Sequence, residues 1–362
     1  MDEITITKPD DWHLHLRDKD LLSAVIFSSS NHFQRALVMP NLSPPITTVE
    51  MAEEYRNRIC LANKMAVDKF KLANSGENIN GSENFYPYMT LYLNSEMSFQ
   101  ELKRVTSAPN VMALKFYPAG ATTNSNFGAS EFSSYYNIFE QMEKLDIVLC
   151  VHGESVNPSI DVFDREARFV EESFEPMVKR FPNLRVVFEH ISTSAAVSFV
   201  NDQSKNIVAS VTPQHLAYNR NHLLAGKLRP HKYCAPLLKQ ESDRSSLVRA
   251  VTADSNTKFF LGTDSAPHIR GEKESSCGCA GCFSAPYALA KYAEIFSNEG
   301  KLKNLEKFSS FNGAKFYGLP INKEKLTLVR RNSVPTQRFI TKKREQIIPF
   351  VDGELLKWQV IN

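Results

Sequence analysis

Residues 147–190 read IVLCVHGESVNPSIDVFDREARFVEESFEPMVKRFPNLRVVFEH, and this stretch decides the architecture. It opens on a short apolar, β-branched run, Ile147–His152, crosses a polar turn, and continues as Ala167–Phe181 with apolar residues at helical spacing. It ends on a second run of the first kind, Leu184–His190. Strand, helix and strand in so short a span describe a parallel crossover unit.

Working outward, six more runs have the same character: Trp12–Leu16, Arg35–Pro40, Tyr86–Leu93, Val111–Tyr117, Ile207–Pro213 and Lys258–Thr263. Between them lie amphipathic stretches such as Phe132–Leu145, where Phe132, Tyr135, Tyr136, Phe139 and Met142 recur at helical spacing. Eight strand–helix alternations predict an α/β chain folded as a (β/α)8 barrel of the TIM type, with an open doubly wound sheet as the alternative. After Tyr317-Gly318-Leu319-Pro320 the alternation stops. We therefore read residues 1–320 as barrel and 321–362 as a C-terminal extension packing on it, within a single domain. Short strands are expected there at Leu326–Val329, Ile347–Val351 and Leu355–Val360. The polar stretch Asp68–Asn84 reads as a surface loop.

Composition narrows the function. The 362 residues are 42% hydrophobic, 10% aromatic and 23% charged, which suits a large buried core. Forty-three Lys and Arg against 40 Asp and Glu leave a net charge of +3, far from the basic stripe of a nucleic-acid binder. The longest apolar run, Ile147–Val151, has five residues, too few to span a membrane. The opening Met1-Asp2-Glu3-Ile4 has no basic segment leading into an apolar one, so we expect a cytoplasmic setting, with an organelle as the alternative. Cys60, Cys150 and Cys234 fall in segments that read as helix or strand interiors, which argues against a disulfide framework.

Chemistry concentrates at strand ends. In Trp12-His13-Leu14-His15-Leu16-Arg17, strand alternation would put His13, His15 and Arg17 on one face. Two imidazoles ~6.6 Å apart along a strand can converge on one metal. An isolated pair of this kind is as readily a packed, hydrogen-bonded one. Here, however, Lys115, His152, His190 and Asp264 all sit at C-terminal ends of expected strands, and a barrel gathers those ends at one mouth.

Longer blocks carry a resemblance. His-Leu-His-Leu-Arg, Met-Pro-Asn, Leu-Lys-Phe-Tyr-Pro-Ala-Gly-Ala-Thr-Thr-Asn-Ser, Val-His-Gly-Glu, Glu-His-Ile, Thr-Pro-Gln-His-Leu, Gly-Thr-Asp-Ser-Ala-Pro-His and Glu-Ser-Ser-Cys-Gly-Cys-Ala-Gly-Cys-Phe run nearly end to end. Together they resemble the shorter, stand-alone dihydroorotases of the amidohydrolase superfamily. The resemblance implies a homodimeric binuclear zinc enzyme. It would interconvert N-carbamoyl-L-aspartate and L-dihydroorotate, the ring-closing step of pyrimidine (UMP) biosynthesis. Carried over by motif, His13, His15 and Asp264 would hold one Zn2+, His152 and His190 the second, and a carboxylated Lys115 would bridge both. A metal-bridging hydroxide would attack, with Asp264 as general acid/base.

The substrate is anionic, and Arg17, Asn41 and His268 resemble its carboxylate pocket. The backbone at Ala235 and Ala280 resembles further contacts, and Thr122 and Thr123 lie in a glycine-bounded loop, 120–128, that would close over the site. Cys277, Cys279 and Cys282 supply three thiols where a structural zinc needs four ligands, so this segment reads as a pocket wall. Hydantoinases and dihydropyrimidinases carry a β-sandwich that the residues after the barrel cannot supply. A non-catalytic scaffold paralogue would have lost ligands, and none is lost here.

Overall fold

The computed structural model describes residues 2–74, 82–125, 128, 131–276 and 278–361. After β1 (Glu3–Thr7), eight parallel strands hydrogen-bond in chain order: β2 (Asp10–Leu14), β3 (Arg35–Val38), β4 (Tyr86–Tyr92), β5 (Val111–Phe116), β6 (Val148–Val151), β7 (Val186–Phe188), β8 (Ile207–Val211) and β9 (Phe259–Leu261). Each falls within or overlaps one of the expected runs. The ring is closed just beyond β9 by single bonds rather than a ladder: Asp264 N–H donates to His13 O (2.9 Å) and His15 N–H to Ser265 O (3.1 Å). The buried Asp11 carboxylate clamps the same seam, accepting from the Thr263 backbone (2.8 Å) and hydroxyl (2.6 Å). The expected (β/α)8 barrel is present, and the open sheet is not.

Strand parity sorts the side chains. Leu37, Ala113, Val148, Cys150, Val187, Val208 and Phe260 point inward and form a cluster of their own, while Leu14, Val38, Leu114, Leu149 and Val186 pack outward. Period two continued toward the mouth brings Lys115 after Ala113, His152 after Cys150, Glu189 after Val187 and Asp264 after Phe260. In β2 the pairing with β3 shifts register between Asp11 and Leu14, so Trp12 joins the inner cluster while His13 still reaches the site. Tyr317 stacks on Trp12 at 4.5 Å and closes the barrel floor.

Three expectations change. Asp68–Ala73 is not loop but the end of the helix Val49–Ala73, capped at its start by Thr48, whose hydroxyl accepts from Met51 N–H (3.2 Å). Phe70 stacks on Phe27 at 4.9 Å and anchors that last turn, which outweighs its polar composition. Ser82–Asn84 forms a 3-10 turn, and residues 75–81 lie outside the described ones. Cys234 sits in an irregular segment beyond the 3-10 turn Pro230–Lys232, not inside an element. Finally, the extension is shared with the N-terminus. β10 (Lys325–Ser333) pairs antiparallel with both β1 and β13 (Leu356–Ile361), beside a small hairpin of β11 (Phe339–Ile340) and β12 (Gln346–Ile347). No described helix is long and apolar enough to cross a membrane.

Candidate active site

Two sets of donor atoms face each other at the barrel mouth. His13 Nε2 and His15 Nε2 are 3.2 Å apart, and Asp264 Oδ1 lies 3.4 and 3.1 Å from them. His152 Nδ1 faces His190 Nε2 at 3.2 Å. The His13 and His190 ring centroids are 5.0 Å apart, so the sets are neighbours, and all five residues are buried. Burial lowers the His15 imidazole to about 4, helped by Arg17 and opposed by Asp264. His190 is pushed well below the usual histidine range by burial and then by His152 and Lys115. Burial pushes Asp264 up, but His13 and His15 outweigh it and hold the carboxyl at about 2. Two imidazoles that burial favours as neutral, His15 and His190, thus converge with an ionised carboxylate, an arrangement that cations satisfy.

Lys115 lies beneath these donors, fully buried. Its ammonium is ion-paired with Glu189 and stands 4.6 Å from the Tyr117 ring centroid. Glu189 Oε1 also sits 3.0 Å from His13 Nδ1, and Glu154 Oε2 lies 2.8 Å from His152 Nε2. Glu154 orients His152 through that bond, and Glu189 stands beside the His13 ring as a charge contact. Burial opposes ionisation of Glu189, yet His13 and Lys115 bring it down to about 2. Sequence reading missed both acids. For Glu189 the signal is its parity with the inward-facing Val187.

Arg17 arrives by a different route from the one expected. β2 ends at Leu14, and Arg17 takes a left-handed conformation (φ 56), as do His190 (φ 43) and Asp264 (φ 44). Such backbone costs of order 1–3 kcal/mol per residue and collects at functional sites. Arg17 lines the pocket, with Nε donating to Pro267 O (3.2 Å) and Nη2 donating to His268 Nε2 (3.0 Å). His268 therefore stands behind Arg17 rather than in the lining; burial and then Arg17 hold its imidazole down at about 2, so it is neutral and accepts that bond. Asn41 Oδ1 lies 2.8 Å from His15 Nδ1, and its amide donates to Thr123 O (3.0 Å). Thr122, Thr123, Ala235 and Ala280 also line the pocket, with the Thr123 hydroxyl donating to Ala280 O (3.2 Å). Residues 126 and 127 of that loop, and Cys277 of the thiol segment, lie outside the described ones. Cys282 is a core residue.

The amidohydrolase family pattern matches residues 7–328. Curated dihydroorotases from Acaryochloris marina and Vibrio cholerae are 47% and 44% identical to the chain, covering 100% and 99% of it and all of each relative. The chain belongs to the amidohydrolase family, in its dihydroorotase branch. The crystal structure of a dihydroorotase from Campylobacter jejuni aligns with TM-score 0.85 at 34% identity, covering 99% of this chain and 98% of that one. A Saccharomyces cerevisiae dihydroorotase in complex with 5-fluoroorotic acid gives 0.87 at 29% identity, covering 100% and 99%. An L-hydantoinase from Arthrobacter aurescens, at TM-score 0.76 and 15% identity, covers 98% of this chain and 82% of its own and shares the fold alone. The dihydroorotase reading of the motifs thus stands ahead of the hydantoinase one, and with it a hydrolase acting on cyclic amide bonds.

Proposed function

We propose that the chain interconverts N-carbamoyl-L-aspartate and (S)-dihydroorotate, the ring-closing step of pyrimidine synthesis, as a cytoplasmic homodimer. The observation that carries this substrate is a buried cation, Arg17, in the same small pocket as the two donor sets. Dihydroorotate differs from a dihydropyrimidine by its carboxylate, and a guanidinium backed by a neutral histidine suits that group. Two zinc ions fit the donors: His13, His15 and Asp264 would hold one, His152 and His190 the other. Lys115, carboxylated, would bridge them, exchanging its bond to Glu189 for the carbamate. When bound, such ions polarise water and the ring carbonyl.

The chain's own groups do the rest. Asp264 removes a proton from the attacking water at its carboxylate oxygen. It returns that proton to the ring nitrogen as the carbon–nitrogen bond breaks. Arg17, with Asn41 and His268 holding its surroundings, binds the carboxylate. Backbone at Ala235 and Ala280 orients the ring, and Thr122 and Thr123 cover it against solvent. Arg17→Met should raise KM for dihydroorotate roughly 10- to 100-fold, the worth of hydrogen bonds to a charged group, with metal content unchanged. An unchanged KM would take Arg17 out of the carboxylate site.

A further inference from the structure

Near the pocket wall sits another buried cation, one that none of this chemistry uses. Lys273 ends the short helix Arg270–Lys273 and is only 4% exposed. Its ammonium donates to three backbone carbonyls: Tyr233 (2.8 Å), Cys279 (2.7 Å) and Gly281 (2.8 Å). Those acceptors use all the protons an ammonium has. Among the described residues no carboxylate forms an ion pair with it. The Tyr233 ring centroid also lies 5.5 Å from the ammonium. Burial lowers its pKa, and the thiols of Cys282, Cys234 and Cys279 favour its charge against that burial; burying an ammonium still opposes folding.

The three carbonyls are not scattered. Tyr233 lies two residues before Ala235, and Cys279 and Gly281 flank Ala280; Ala235 and Ala280 both line the pocket. Gly281 N–H donates to Tyr233 O (2.9 Å), so the two segments already meet at one point, and Lys273 binds both without lining the pocket itself. In a trans peptide the N–H points opposite to the C=O. Turning the Cys279 carbonyl back to Lys273 therefore turns the Ala280 N–H the other way, and among the described residues that N–H makes no internal hydrogen bond. Gly281 is held at φ +147, where an added Cβ would lie 2.8 Å from Ala266 Cβ and 2.9 Å from Ala266 O, so the wall has no slack on that side.

We propose that Lys273 is a substrate-positioning residue: it fixes the backbone of Ala235 and Ala280 that meets the anionic substrate, and its buried positive charge adds to the field of Arg17 on the substrate carboxylate. This rests on the dihydroorotase reading of the pocket. The test compares zinc-loaded full-length chain with Lys273→Met and Lys273→Gln, measuring metal content, thermal midpoint and the KM–kcat split with dihydroorotate. We expect Lys273→Met to raise KM about 10-fold or more with kcat within about threefold and metal content unchanged, the pattern of lost uniform binding. Lys273→Gln keeps two donors without the charge and should fall between, and it decides the question if the Met variant does not fold. A KM unchanged in whichever variant folds, with only the thermal midpoint lowered, would overturn the positioning role. An inactive parent chain would instead overturn the functional reading, and this inference with it.

Discussion

Asp264 holds three positions at once. Its backbone N–H closes the barrel on His13 O, its carboxylate meets two histidines, and its backbone is held left-handed at φ 44. A group this constrained can move a proton without reorganising, which is what acid/base catalysis asks of it. Asp264→Asn keeps the shape and one oxygen donor while removing the basic carboxylate. It should retain most of its metal and lose kcat by about 10²- to 10⁴-fold. Full residual turnover in that variant would end the acid/base assignment. At this scale much was legible, because His13, His15, Lys115, His152, His190 and Asp264 all fall at strand ends in the sequence. What was not legible depends on backbone conformation. The left-handed turn at Arg17 and the placing of His268 behind it follow from the Pro267 and Tyr55 contacts, which no local pattern announces.

Among the elements, the floor of the barrel positions the site from below. Trp12 precedes His13 directly, and it is pinned by Tyr317 and by the helix Asn312–Phe316. A Cβ at Gly313 would lie 2.0 Å from Trp12 Nε1 and 2.3 Å from its Cδ1, so only glycine lets that helix approach. Gly313→Ala should destabilise the fold by about 1–3 kcal/mol, the usual cost of overpacking, read as a lowered urea midpoint with unchanged slope. A midpoint equal to that of the parent would show that the contact carries no packing role. Strand positions were readable because parallel strands buried on both faces are near-continuous apolar runs. The end of the helix Val49–Ala73 was not, since a polar composition hid the single aromatic contact, Phe70 on Phe27, that holds its last turn.

For the whole molecule, the pairing of β1 with β10 joins residues near opposite ends of the chain, Ile4 with Leu328 and Ile6 with Leu326. Long-range pairing of this kind leaves no signature in either segment alone, which is why the sequence shows an extension packing on the barrel but not its pairing with β1. The barrel order and the convergence of five strand ends, by contrast, follow from chain order once the alternation is recognised. The central claim is that this convergence is a metal-dependent dihydroorotase site. Its most direct test follows ultraviolet absorbance of the purified, zinc-supplied chain, offered N-carbamoyl-L-aspartate under mildly acidic conditions and dihydroorotate under alkaline ones. The account predicts turnover in both directions, abolished by a chelator and restored by zinc. A folded, metal-loaded chain that turns over neither compound would contradict it.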